Sequence, residues 1–225
     1  PGTVQVFATN AQGCDSAPIS IPVNIASLPD ADAGTDPAIC PGASTTVGGA
    51  PTGPPGSTYT WSPNVNLSAT NVANPSASPS ATQQYIVEVS NSGCVSRDTV
   101  IVTVNQPQVD AGAGAAFCVG GGAQLNATSN GGTYAWSPSN GLSATDVADP
   151  IASPVLTTTY SVTLTDAIGC NATDSVTVTV NQLPIADAGN DQTPCAGTTV
   201  ALGGAPTGPN GSTYVWLPST GLSSA

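Results

Sequence analysis

The chain is expected to be all-β, with short strands folded into sandwiches that repeat in tandem. Three observations predict this. The runs Tyr160–Thr165 and Ser175–Val180 alternate strictly between apolar and polar residues, the period-two signal of a half-buried strand. The turn Asp166-Ala-Ile-Gly169 between them makes the pair a β-hairpin. The same landmarks recur down the chain, with Trp61, Trp136 and Trp216 about 75 to 80 residues apart, a spacing that marks a domain array rather than a solenoid. Finally, Pro, Gly and Ser/Thr interrupt every window in which a helix would otherwise form.

Residues 1–28 read as the closing part of a domain. Thr3-Val-Gln-Val-Phe-Ala-Thr-Asn-Ala-Gln-Gly-Cys14 aligns with Thr159-Tyr-Ser-Val-Thr-Leu-Thr-Asp-Ala-Ile-Gly-Cys170, and Ile19–Ile25 stands where Val176–Val180 stands later. A first whole copy spans residues 29–107. It opens on Ala31-Asp-Ala-Gly34 and Ile39-Cys-Pro-Gly42 and continues through a strand at Ser44–Val47 and Tyr59-Thr-Trp-Ser-Pro63. It closes on the hairpin Tyr85–Val89, Ser92-Gly-Cys94 and Asp98–Val104. A second copy, residues 108–183, repeats these landmarks at Asp110-Ala-Gly112, Phe117-Cys-Val-Gly120, Tyr134-Ala-Trp-Ser-Pro138, Tyr160 and Gly169-Cys170. The first half of a third copy, residues 184–225, starts with Ala186-Asp-Ala-Gly189 and reaches Tyr214-Val-Trp-Leu-Pro218. Each whole copy offers about seven short strands, the pattern of an immunoglobulin-like sandwich whose Tyr-x-Trp strand brings the core aromatic. The links Val104-Asn-Gln-Pro-Gln-Val109 and Val180-Asn-Gln-Leu-Pro-Ile185 are short and hold proline. They are therefore expected to be stiff and to make the array a rod.

Composition narrows the function. The net charge is −12, and Arg97 is the sole cation. That argues against nucleic acid and anionic membranes as partners, since both are bound through cations. No apolar run approaches the ~18 residues of a membrane helix, so no membrane insertion is expected. The chain has no His, and with Arg97 its single basic residue it has no Lys. A Ser/His/Asp triad, a Cys/His pair and a Lys Schiff base are therefore absent. No enzyme activity is expected. Six widely spaced cysteines in a His-free chain point to disulfides and an oxidising, extracellular setting. Pro1-Gly-Thr-Val does not look like a natural start.

The repeated text resembles the PKD-like, immunoglobulin-like tandem repeats of very large surface proteins in gliding and surface-colonising Bacteroidota. It comprises Asp-Ala-Gly-x-Asp-x-x-x-Cys-x-Gly, Tyr-x-Trp-Ser-Pro, Leu-Ser-Ala-Thr-x-Val-Ala-x-Pro, Thr-Thr-Tyr-x-Val-x-x-Thr-Asp and Gly-Cys-x-x-x-Asp, and covers nearly the whole chain. The resemblance implies export by the type IX secretion route and a cell-surface role as adhesin, stalk or fibre, including gliding motility. PKD domains often have Trp-x-Phe-Gly-Asp-Gly on the third strand. Trp-Ser-Pro stands there in this chain, so properties tied to that motif do not carry over.

Among candidate sites the cysteines come first. Cys40, Cys118 and Cys195 precede the second strand of their copies, while Cys14, Cys94 and Cys170 sit at a closing hairpin. Pairing within a copy gives Cys40–Cys94 and Cys118–Cys170 and leaves Cys14 and Cys195 to segments outside this sequence. The objection is that first turn and last hairpin lie at opposite poles of such a sandwich. A head-to-tail arrangement would instead join Cys40 to Cys170. Both pairings stay open at this point.

The tryptophans are expected in the cores. Asp30, Asp32, Asp36, Asp187 and Asp191 at the domain starts suit either calcium between domains or turns in which Asp accepts from its own backbone. No other cofactor is expected. Ser16, Thr99 and Ser175 follow Asp in an Asp-Ser/Thr-aliphatic pattern that, in the resembled proteins, marks O-glycosylation.

The expected role is a structural repeat segment of an extracellular cell-surface fibre or stalk. The alternatives are adhesin repeats that themselves bind a surface or glycan, and an accessory module of a secreted enzyme. The partners are neighbouring immunoglobulin-like domains, on the same long chain or on identical subunits. The opening third and final half of a domain admit two readings: a stretch of a longer chain, or subunits that complete one another by strand donation. The first needs no special mechanism and is the expectation.

Overall fold

The computed structural model describes residues 2–204 and 207–223. Sixteen strands and no helix occur among them. They form two compact units. One holds the residues up to Gln108 together with Thr165–Ala172, the other Val109–Leu164 together with the residues from Thr173 on.

In the first unit, β1 (Gly2–Val6) and β2 (Ile19–Val23) pair antiparallel, with Val4 opposite Ile21 and Val6 opposite Ile19. Alternation puts these four side chains on one face, and each keeps more than half of its surface exposed. Next come β3 (Ala38–Ile39), β4 (Thr45–Thr46), β5 (Thr58–Ser62), β6 (Ser76–Ala77), β7 (Gln83–Asn91) and β8 (Cys94–Val104). One sheet has the order β3-β8-β7-β5, and β4-β6 forms a second, short one. β3 runs parallel to the end of β8, Ile39 beside Val104. β7 and β8 form a long antiparallel hairpin with Tyr85 opposite Val100. Its two-residue turn uses Ser92 and Gly93, both with positive φ, as a tight hairpin turn requires.

Alternation sends Tyr85, Val87, Val89, Val100 and Val102 inward, where each is fully buried, against Trp61, Val47 and Ala77. At roughly 1.5–3 kcal/mol per buried side chain of this size, the Tyr/Val stripe outweighs the polar contacts. The polar tips of the buried aromatics are satisfied. The Trp61 indole N–H donates to the Val72 carbonyl and the Tyr85 hydroxyl to the Val65 carbonyl, both at 3.0 Å. The Arg97–Glu88 ion pair crosses β7 and β8 on the outer side, where such a pair contributes little.

The second sandwich repeats the plan with β9 (Val109–Asp110), β10 (Ala115–Cys118), β11 (Ala123–Gln124), β12 (Thr128–Ser129), β13 (Thr133–Ser137), β14 (Ile151–Ala152), β15 (Thr158–Thr165) and β16 (Asn171–Asn181). Its large sheet has the order β10-β16-β15-β13, beside the short pairs β11-β14 and β12-β9. Trp136, Tyr160, Val162, Leu125 and Val178 fill the core. Trp136 donates to the Val147 carbonyl at 2.9 Å and Tyr160 to the Asn140 carbonyl at 2.8 Å. The expected seven strands per copy appear as six in the first and eight in the second. Pro and Gly break the outer sheet into two-residue ladders.

From Leu183 on, the described residues form no strand. Their loops nevertheless repeat those of the first copy. Gly203 N–H donates to Ala188 and Gly204 N–H to Asp187, as Gly48 does to Ala33 and Gly49 to Asp32. A cleft of about 490 Å³ opens beside Leu202, Trp216 and Leu222.

Candidate functional site: the cysteine cross-link

Three turns present a cysteine in the same way. In each, a Cys-x-Gly sequence makes a β-turn: the carbonyl of Cys40 accepts from Ala43 N–H, that of Cys118 from Gly121 N–H and that of Cys195 from Thr198 N–H. The third residue must take positive φ, and glycine supplies it at Gly42, Gly120 and Gly197, with φ of 79°, 89° and 83°. Sequence repetition therefore becomes repetition of geometry.

The closing hairpins present the other three cysteines. In two of them an Asx loop sets the position. The Asp166 carboxylate accepts from the N–H groups of Ile168 and Cys170. The Asn10 side-chain oxygen accepts from those of Gln12 and Cys14. Partial burial works to raise the Asp166 carboxyl, but the Cys170 N–H, the Asn105 amide at 3.2 Å and the Ile168 and Gly169 N–H groups outweigh it and hold it below the usual carboxylate value. Cys94 instead ends the two-residue turn of β7 and β8. Its thiol lies 3.8 Å from the Ala26 carbonyl.

One disulfide forms among the described residues, Cys40–Cys170, with Cα atoms 5.2 Å apart and a sequence separation of 130. Both partners belong to the first compact unit, which includes the hairpin tip Thr165–Ala172. Cys170 is buried to 2% exposure. Cys14, Cys94, Cys118 and Cys195 are thiols.

The within-copy pairs Cys40–Cys94 and Cys118–Cys170 do not form, and strand register explains why. Ile39 lies beside Val104, at the far end of β8 from Cys94. Ten residues of strand at ~3.3 Å each separate that end from Cys94 by about 30 Å, against a limit near 7 Å for a disulfide. Likewise Cys118 lies beside Asn181, at the end of β16 opposite to Asn171.

The aspartates of the domain starts serve turns. Asp32, Asp110 and Asp187 accept from the N–H groups of Gly34, Gly112 and Gly189, each at 2.8 Å. Asp36 accepts from Ile101 N–H on β8. Among the described residues no group of three or more His, Cys, Asp or Glu is placed to hold a metal, so the structure does not gather Asp30, Asp32 and Asp36 into a cluster. Trp61 and Trp136 are core residues, 2% and 4% exposed, and form no surface strip. Ser16, Thr99 and Ser175 are all exposed.

The aspartates before Thr99 and Ser175 have a role that sequence reading missed. Asp98 accepts from Ala33 N–H and Asp174 from Ala111 N–H, both at 2.8 Å. Each ties the Asp-Ala-Gly opening of a sandwich to its last strand. The N–H groups of Ala111 and Ser175 hold the Asp174 carboxyl below its usual value against a smaller effect of burial. The available signal was the recurrence of Asp at the same place in both copies. A cleft of about 490 Å³ beside Ala26, Pro54 and Asn91 has Asp30 as its one titratable lining residue and offers no paired acid and base.

No family model matches the chain, and neither does any curated protein. Solved structures with a similar course are tandem immunoglobulin domains. An I-band fragment of titin, I67–I69, is 14% identical over 71% of this chain and 68% of its own, with a TM-score of 0.44. Drosophila OTK extracellular domains 3–5 are 13% identical over 73% and 67%, TM-score 0.40. Sidekick-1 immunoglobulin domains 1–4 are 12% identical over 80% and 58%, TM-score 0.41. The all-β, immunoglobulin-like sandwich fold rests on the strands, sheet orders and buried Trp/Tyr/Val cores described above. No described helix is long and apolar enough to cross a membrane.

Proposed function

We propose that this chain is a structural repeat segment of an extracellular fibre or stalk, of the kind its repeats resemble in type IX-exported Bacteroidota surface proteins. The observation that carries the reading is the Cys40–Cys170 bond, which joins the first turn of one copy to the closing hairpin of the following copy. A bond at that place resists extension of the polypeptide and adds nothing to a binding pocket. The absence of His and Lys and the core position of Trp61 and Trp136 agree with a role in shape rather than chemistry. The disulfide also suits an oxidising compartment outside the cytosol.

The test is electron microscopy of intact cells labelled with antibody against residues 133–180, together with binding of the purified chain to glycan arrays and to solid surfaces. Label along projecting filaments with no glycan or surface binding is expected. Saturable binding to a defined glycan would replace the stalk with an adhesin. Label confined to permeabilised cells would overturn the extracellular reading.

A further inference from the structure

We infer that the four thiols are cross-linking sites of two complementary kinds. Turn-type cysteines (Cys118 and Cys195) each bond a hairpin-type cysteine of another copy of the repeat, and hairpin-type cysteines (Cys14 and Cys94) each bond a turn-type cysteine. The inference does not depend on the fibre reading.

The one bond that forms sets the rule: it joins a turn-type residue, Cys40, to a hairpin-type residue, Cys170. Cys118 and Cys195 occupy the same hydrogen-bonded Cys-x-Gly turn as Cys40, with the glycine at positive φ. Cys14 occupies the same Asx-closed loop as Cys170, its N–H held by Asn10 as that of Cys170 is held by Asp166. Cys94 ends the equivalent hairpin of the first copy.

Partners of the same copy are out of reach, because register places turn and hairpin at opposite ends of β8 and of β16. Cys14, Cys118 and Cys195 are exposed and Cys94 is partly so, which leaves all four open to another copy. The rule also gives the order: the turn of one copy takes the hairpin of the copy that follows it, as Cys40 takes Cys170.

Closure needs an oxidant, here a disulfide of the thiol–disulfide exchange class. One thiolate attacks it, forms a mixed disulfide and releases one thiolate. The second protein thiolate then displaces the other. Two protein thiols become one disulfide while the oxidant's disulfide becomes two thiols.

The test is a peptide map of the native polypeptide, alkylated before lysis and digested without reduction. Asp-specific and chymotryptic cleavage suit a chain with one basic residue. Expected are Cys94 linked to a Cys-x-Gly turn peptide and Cys118 linked to a closing-hairpin peptide. A ladder that collapses on reduction would assign the other copy to a second molecule, and a single unchanged band would assign it to the same polypeptide. Alkylated Cys94 and Cys118, turn-to-turn or hairpin-to-hairpin links, or the pairs Cys40–Cys94 and Cys118–Cys170 would overturn the rule. In a Cys40→Ser chain, Cys170 alone should become newly alkylatable. Release of Cys94 in that variant would likewise overturn it.

Discussion

Reduction should lengthen the pulled chain by about 450 Å. The Cys40–Cys170 bond bypasses 130 residues, and an extended chain spans at most about 3.5 Å per residue. When the oxidised chain is drawn out from its two ends, tension passes across the sulfurs and the bypassed residues bear none. A reductant, or Cys40→Ser, puts those residues back in line. The assay is optical-tweezer extension of single molecules through handles at the two termini, with and without reductant, fitted for contour length. The same bond should stabilise the oxidised chain by about 5 kcal/mol if loop entropy is its main effect. Pairing within copies would bypass two loops of roughly 50 residues and hide about 180 Å in each. Two gains of that size on reduction, or none, would refute the assignment. A Cys170→Ser chain should match Cys40→Ser, because each removes the same closed loop.

Other perturbations probe the sandwiches. Asp98→Ala strips the partner from the fully buried Ala33 N–H and should cost about 1–3 kcal/mol in denaturant unfolding; Asp98→Asn, whose amide oxygen still accepts, should cost less. Asp166 and Asp174 are held below the usual value of 3.8 when folded. The stability they contribute is therefore present above about pH 4 and is lost as pH falls through their lowered folded values, which pH-dependent melting will read. Burial raises Tyr85 and Tyr160 above 10.0. Their contribution has the opposite sign and disappears as pH climbs past 10 through the folded values. Appending a second copy of residues 145–182 after residue 225 should place a closing hairpin beside residues 214–216. Amides of residues 214–216 should then gain hydrogen-exchange protection, and unchanged exchange would show that the Tyr-x-Trp strand does not depend on the hairpin.

Much of the architecture was legible because the landmarks are local. Tyr85, Val87 and Val89 on one strand, with Val100 and Val102 on the other, announce a two-stranded stripe by alternation alone, and all are buried. The three Cys-x-Gly turns are legible for the same reason, since glycine at positive φ is a local demand. The disulfide partner was half legible: topology put Cys40–Cys170 among two open pairings, and the choice between them was not in the sequence. It depends on β3 lying parallel to the end of β8 rather than beside its start, and nothing within either segment states that register. The tethers from Asp98 to Ala33 and from Asp174 to Ala111 span 65 and 63 residues, so no local pattern reveals them. Asp98 instead read as part of a glycosylation motif.

The third copy shows where local preference stops. Tyr214-Val-Trp216 repeats Tyr59-Thr-Trp61 almost letter for letter. Residues 59–61 form a strand because β7 lies beside them, Trp61 opposite Val87, and because the hairpin covers the indole. Among the described residues no hairpin pairs with residues 214–216, which form no strand and leave Trp216 partly exposed beside a cleft. The opposite case is the β1–β2 pair, which forms its ladder through its own turn while its apolar face stays exposed. A hairpin can satisfy its backbone locally, whereas the Tyr-x-Trp strand can do so only across a long separation. The hairpin is thus the half of each sandwich whose pairing is local, and the Tyr-x-Trp half depends on it for its ladder. By the same logic, the cysteine that closes the cross-link is held on the hairpin's Asx loop, whose hydrogen bond from Cys170 N–H to Asp166 is local.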